Sequence, residues 1–207
     1  MKKVVKLTER DLTRYIPSTL GKSNNELPFE QITVGRGLNE GYTEGGTDKN
    51  SYHSYIENFY EKEFEPYKES KIDLLEIGIE TGGSLKLWKE YFLNSKSVVG
   101  VDISDEKIDQ RYKNIDGIIM HFGDAYDEKF SKKFKQFDII IDDGPHTLES
   151  QLKSIKFYLP KLKQNGLFII EDISDISISY LSIIFLNTAI HVFLYFFIHK
   201  CIKILST

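Results

Sequence analysis

Two acidic doublets stand out in the second half of the chain: Asp142-Asp143, directly after Phe137-Asp138-Ile139-Ile140-Ile141, and Glu171-Asp172, directly after Leu167-Phe168-Ile169-Ile170. Adjacent carboxylates behind a buried apolar run are costly unless a cation or fixed hydrogen bonds compensate them. Oxygen donors of this kind suit Mg²⁺, Mn²⁺ or Ca²⁺ better than zinc. His146 lies three residues past Asp143 and has the chemistry of a general base beside such an ion. The competing account is that Asp143 and Asp172 cap the N-termini of the helices that follow them.

A second group of polar residues lies upstream. The run Glu76-Ile77-Gly78-Ile79-Glu80-Thr81-Gly82-Gly83-Ser84 allows a sharp turn before a helix whose first N–H groups can face an anion. Glu80 stands where a dinucleotide fingerprint has its second glycine, which argues against NAD. Asp102, in Val99-Gly100-Val101-Asp102, is placed to accept hydrogen bonds from ribose hydroxyls or to cap the next segment. Asp124, in Phe122-Gly123-Asp124, is placed to meet an adenine amino group or to hold a turn.

The elements that must position these groups follow from the pattern of apolar residues. Short apolar runs at 72–77, 97–101, 117–121, 137–141 and 167–170 read as strands, and amphipathic stretches at 84–92, 105–112, 127–134 and 147–162 read as helices. This alternation predicts an α/β fold: a Rossmann-like, doubly wound parallel sheet with ligands at the carboxyl ends of its strands. In the usual order of such sheets the fourth and fifth strands are neighbours, so the two doublets converge. Upstream, 6–16 and 52–67 read as amphipathic helices, and 17–49 as a long arm rich in Gly, Asn, Ser, Thr and Pro.

At 207 residues the chain suits one ordinary domain, and a net charge of −4 argues against binding nucleic acid through bulk positive charge. Its one cysteine, Cys201, excludes an internal disulfide, and no apolar signal segment opens the sequence, so the cytoplasm is the expected compartment. The segment 176–199 contains no Asp, Glu, Lys or Arg. It is long enough for a membrane or interfacial helix, and closing strands of the sheet or a divergent, frame-shifted end are the other readings. Three segments result: an arm at 1–49, a core at 50–173 and an apolar tail at 174–207.

Together, Asp73-Leu74-Leu75-Glu76-Ile77-Gly78, Gly82-Gly83-Ser84-Leu85, Val101-Asp102, Gly123-Asp124, the 137–146 run with its Asp142-Asp143-Gly144-x-His146 end, and Gly166-Leu167-Phe168-Ile169-Ile170-Glu171-Asp172 resemble the class I S-adenosylmethionine-dependent methyltransferases. The likeness is nearest to the metal-dependent sugar O-methyltransferases of macrolide biosynthesis and runs from about 46 to 173. Gly46-Thr47-Asp48-Lys49, with His53 and Tyr55, is similar to that group's leading segment. The resemblance implies that Glu76, Gly78 and Ser84 surround the methionine part of S-adenosylmethionine, Asp102 its ribose and Asp124 its adenine. It further implies that Asp143, Glu171 and Asp172 hold Mg²⁺ (or Mn²⁺), with Asp142 in support, and that His146 and Asp143 carry the catalysis on a sugar or glycan hydroxyl. The family's sheet closes with two further antiparallel strands, so the tail at 174–207 is expected to lack or alter them. A catechol-like or other vicinal-diol acceptor, and an inactive cofactor-binding fragment, are the alternatives; self-association and membrane contact through 176–199 stay open.

Overall fold

The computed structural model describes Thr47, Lys49, residues 59–173 and the backbone of 202–205. The helix expected at 6–16, nearly all of the 17–49 arm, the first part of the 52–67 helix and the charge-free 176–199 segment lie outside the described residues.

Six strands make one sheet: β1 (Asp73–Ile77), β2 (Ser97–Asp102), β3 (Ile118–Phe122), β4 (Phe137–Asp142), β5 (Leu162–Ile170) and β6 (Ile202–Leu205), in the order β3-β2-β1-β4-β5-β6. The first five are parallel, and β6 pairs antiparallel with β5, Ile170 opposite Ile202. One antiparallel strand of the tail thus joins the sheet, where the sequence led us to expect closing strands absent or altered.

Strands buried on both faces are apolar at consecutive positions, and neighbouring residues divide between two cores. Leu74, Ile139 and Ile141 meet Phe64, Leu85, Trp88 and Phe92 on one face, beside α1 (Glu61–Phe64) and α2 (Gly83–Tyr91). Leu75, Ile140 and Phe168 meet Phe130, Phe134 and Tyr158 on the other, beside α3 (Glu128–Ser131) and α4 (Leu148–Tyr158). The interiors of β1, β2 and β4 are buried, whereas the edge strand β3 is only partly covered.

Three expectations are corrected. Residues 105–112 form turns, not a helix: bonds such as Ile108 N to Asp105 O at 3.2 Å and Tyr112 N to Asp109 O at 3.0 Å span three residues. The Asp109 carboxylate takes the Arg111 backbone N–H at 2.8 Å and so competes with helical pairing, and only Ile108 and Tyr112 are buried there. The helix expected at 127–134 is the single turn of α3, capped by Asp127, whose carboxylate accepts from Phe130 N at 2.8 Å. The last parallel strand begins well before 167, because 163–166 bulge opposite Asp138 and Lys163 clamps the bulge, its Nζ 2.7 Å from Asp73 and 2.8 Å from Asp138.

Candidate active site

The strand register brings the polar residues to one edge. Ile77 lies opposite both Val101 and Asp142, and Asp142 lies opposite Ile170. Backbone bonds continue beyond the strands: Gly78 N donates to Val101 O at 2.8 Å, Asp143 N to Ile77 O at 2.8 Å and Glu171 N to Asp142 O at 2.9 Å. Gly78, Asp143 and Glu171 therefore stand in a row. Gly78 has φ +82°, and a Cβ there would overlap the Asp143 carbonyl, so glycine is needed for β4 to deliver its carboxylate beside the first turn.

A cleft of about 740 Å³ opens along this edge, lined by Gly78, Asp102, Ile103, Asp124, Tyr126, Asp143 and His146 among others. Asp102 Oδ2 accepts from Ile79 N at 3.0 Å and Glu80 N at 2.9 Å, and its Oδ1 from Ile103 N at 2.7 Å. That carboxylate ties the glycine-containing turn to β2 while lining the cleft. Asp124 Oδ1 accepts from Tyr126 N at 2.8 Å, the turn bond anticipated for it, and the residue also lines the cleft. Glu76 and Ser84 do not line it: Glu76 is fully buried, and its Oε2 accepts from Ser84 Oγ at 2.7 Å and Trp88 Nε1 at 2.8 Å. They brace the turn from behind.

At the other end of the cleft Asp143, His146 and Asp172 offer ligand atoms within 4.8 Å of one another, with His146 Nε2 3.8 Å from both Asp143 Oδ1 and Asp172 Oδ2. Two carboxylates at this separation are hard oxygen donors that fit one divalent ion, and the imidazole stands beside them. Asp143 does not cap α4. Thr147 does, its hydroxyl accepting from Ser150 N at 3.1 Å while Ser150 Oγ accepts from Thr147 N at 3.2 Å. His146 and Asp172 have φ of +57° and +48°, a region that side chains other than glycine enter seldom, so both are held in backbone conformations favoured mainly by their surroundings.

Glu171, expected as a third ligand, is not in that group. Its carboxylate is 2% exposed and accepts from Lys49 Nζ at 2.8 Å and from the Tyr60 hydroxyl. Lys49 is the residue that our reading of the sequence missed. Its side chain is 1% exposed, and Nζ also lies 2.8 Å from Asp143 Oδ2 and 3.4 Å from Glu76 Oε1. The Tyr60 and Trp88 rings lie 5.9 Å from it. Burial alone would lower the Lys49 pKa, but Asp143, Glu171 and Glu76 hold it well above the usual lysine range. Asp143 is pushed well up by burial and by the Glu171 charge, against the pull of Lys49. Burial likewise raises Glu76 and Asp142, the latter despite the hydrogen bond that it accepts from Tyr126 at 2.6 Å. The one signal available beforehand was the position of Lys49 in the Gly46-Thr47-Asp48-Lys49 run.

Residues 75–173 match a family described as a methyltransferase domain. With the strand order above, this region has the Rossmann-like fold of the class I methyltransferases. Among similar proteins, the 8-demethyl-8-alpha-L-rhamnosyl tetracenomycin-C 2'-O-methyltransferase of Streptomyces olivaceus is 32% identical over 136 residues, covering 62% of this chain and 35% of its own length. The mycinamicin VI 2''-O-methyltransferase of Micromonospora griseorubida is 30% identical over 139 residues, covering 61% and 33%. The structure of the mycinamicin-pathway methyltransferase MycE in complex with Mg and SAH superposes with a TM-score of 0.56 at 25% identity, covering 70% of this chain and 39% of that one. The chain spans about a third of the length of the curated relatives it matches. Among the described residues, no helix is long and apolar enough to cross a membrane.

Proposed function

We propose that this chain carries the S-adenosylmethionine-dependent, Mg²⁺-assisted O-methylation of a sugar or glycan hydroxyl, with the 50–173 core as its catalytic part. The observation that carries the reading is the meeting of Asp143, His146 and Asp172 at one end of a cleft whose other end is lined by Asp102 and Asp124. The names of two relatives, which print a rhamnosyl tetracenomycin and an L-olivosyl-oleandolide as what they methylate, support the class of acceptor.

In this reading Asp102 accepts hydrogen bonds from the ribose hydroxyls and Asp124 from the adenine amino group, while Gly78 faces the methionine part. Glu76 and Ser84 hold that turn from behind. Asp143 and Asp172 hold the divalent ion, with Asp142 steadying the β4 end through Tyr126. A bound divalent ion supplies Lewis acidity that makes an adjacent acceptor hydroxyl easier to deprotonate. His146, whose Nε2 stands 3.8 Å from an oxygen of both Asp143 and Asp172, takes that proton. The cleft walls hold the acceptor in line behind the donor's methyl group, which converts an encounter of two molecules into a positioned transfer. The cytoplasm suits a fold that needs no disulfide.

The test is transfer of labelled methyl to a panel of glycosylated polyketides and nucleotide sugars, with Mg²⁺ and with EDTA. Transfer that requires Mg²⁺ is the expected result. Transfer in EDTA at the same rate would remove the ion from the mechanism, and transfer only to catechols would replace the acceptor class.

A further inference from the structure

A cation is buried among the carboxylates of the site, and it comes from outside the sheet. Lys49 Nζ sits among Glu76, Asp143 and Glu171, which reach it from the ends of β1, β4 and β5. An ammonium has three donors, and a buried one requires compensation of its charge. Its two shortest contacts fall on particular atoms, Asp143 Oδ2 and Glu171 Oε1, each at 2.8 Å. The other oxygen of Asp143, Oδ1, is the one that faces His146.

From this geometry we infer that Lys49 is a positioning residue that divides the acidic cluster in two. The inference rests on the metal-assisted reading above. The inner part, Glu76, Glu171 and Asp143 Oδ2, is satisfied by the ammonium. The outer part, Asp143 Oδ1 with Asp172 and His146, is kept at the cleft for a divalent ion and the acceptor. Without the ammonium, three carboxylates would surround a buried site of strong negative potential, and a divalent ion would be drawn inward, away from His146 and the cleft. Lys49 thereby decides where in the cluster the ion sits, and Glu171 acts through Lys49.

The experiment uses the full chain, Mn²⁺ as the probe and anomalous scattering to locate it in crystals of the wild-type and Lys49→Met proteins. The wild-type ion is expected beside Asp143 and Asp172. In Lys49→Met it is expected among Glu76, Asp143 and Glu171, and methyl transfer is expected to fall about 10²-fold, as misplacement of about 1 Å typically costs. SAH affinity measured by calorimetry is expected to stay within a few-fold. An ion in the wild-type position in Lys49→Met overturns the inference, even if the variant melts at a lower temperature. Wild-type protein that takes up no Mn²⁺ overturns the metal-assisted reading and this inference with it. Should Lys49→Met fail to fold, Lys49→Gln keeps a neutral hydrogen-bond donor in place of the ammonium and leaves all three carboxylates. It is read by the same criterion.

Discussion

The two ends of the cleft use carboxylates in opposite ways. At the end formed by β1, β2 and β3, Asp102 and Asp124 are bound by backbone N–H groups: Ile103 and Tyr126 within their own turns, and Ile79 and Glu80 from the glycine-containing turn 23 and 22 residues before Asp102. At the end formed by β4 and β5, Asp142, Asp143 and Glu171 are bound by side chains from distant segments: Tyr126, Lys49 and Tyr60. Backbone donors are neutral and come with the turns themselves, so the first end needs no buried charge. The second end needs a buried cation from 94 and 122 residues away, and burial there raises the carboxyl pKa values. One end is a cradle for a ligand. The other is a buried charged cluster balanced by one ammonium.

The sharpest way to separate the ends is to remove the chemistry from one and ask whether the other still binds. Asp143→Asn is expected to abolish measurable methyl transfer, and His146→Ala to lower it by about 10²–10⁴-fold, the usual worth of a general base. In both, SAH affinity by calorimetry should stay within a few-fold. Matching losses of SAH binding would show that the ends are one unit. Asp102→Ala makes the reverse cut. It should weaken SAH by about 10- to 100-fold, the worth of 1.5–3 kcal/mol for hydrogen bonds to a charged group, with Mn²⁺ binding preserved.

The contrast also predicts a pH dependence. A carboxyl group whose folded pKa is raised binds its proton more tightly in the folded protein than in the unfolded chain, so stability falls as pH rises above the ordinary carboxylate range near 4. Glu76, Asp142 and Asp143 all act in this direction. Lys49, raised above the usual lysine range, contributes fully at neutral pH and adds no slope there. Urea unfolding in EDTA should therefore show lower stability at pH 8 than at pH 5, and saturating Mg²⁺ should flatten the difference. A metal-free protein more stable at pH 8 would count against the buried acidic end. The smallest effect is expected away from both ends: Thr147→Ala removes the cap of α4 and should cost about 1 kcal/mol in urea unfolding, with SAH and Mn²⁺ affinities unchanged.

The strands were legible because a sheet buried on both faces demands uninterrupted apolar runs such as Ile139-Ile140-Ile141 and Phe168-Ile169-Ile170. The acidic doublets were legible for the same reason, since a polar residue that ends such a run must emerge at the sheet edge. The 105–112 segment was misread because Ile108 and Tyr112 mimic a helical face while Asp109 closes a local turn. The start of β5 was missed because Lys163, Gln164 and Asn165 look like a loop, and distant side chains tie them to the sheet: Lys163 clamps on Asp73 and Asp138, and the Tyr67 hydroxyl donates to Asn165 O.

By itself, the sequence determined the order of the strands along the chain, the residues that end them and the kind of chemistry that those residues support. All of these follow from local patterns of apolar and polar residues. Only the tertiary structure decided the partners: that Glu171 faces Lys49 and Tyr60, that Asp143 turns one oxygen inward and one toward His146, and that Glu76 stands behind the cleft wall. The reason is physical. A strand pattern states where a carboxylate emerges, but its partner is set by what desolvation requires once the chain is closed, and the ammonium that meets this requirement lies far away in sequence.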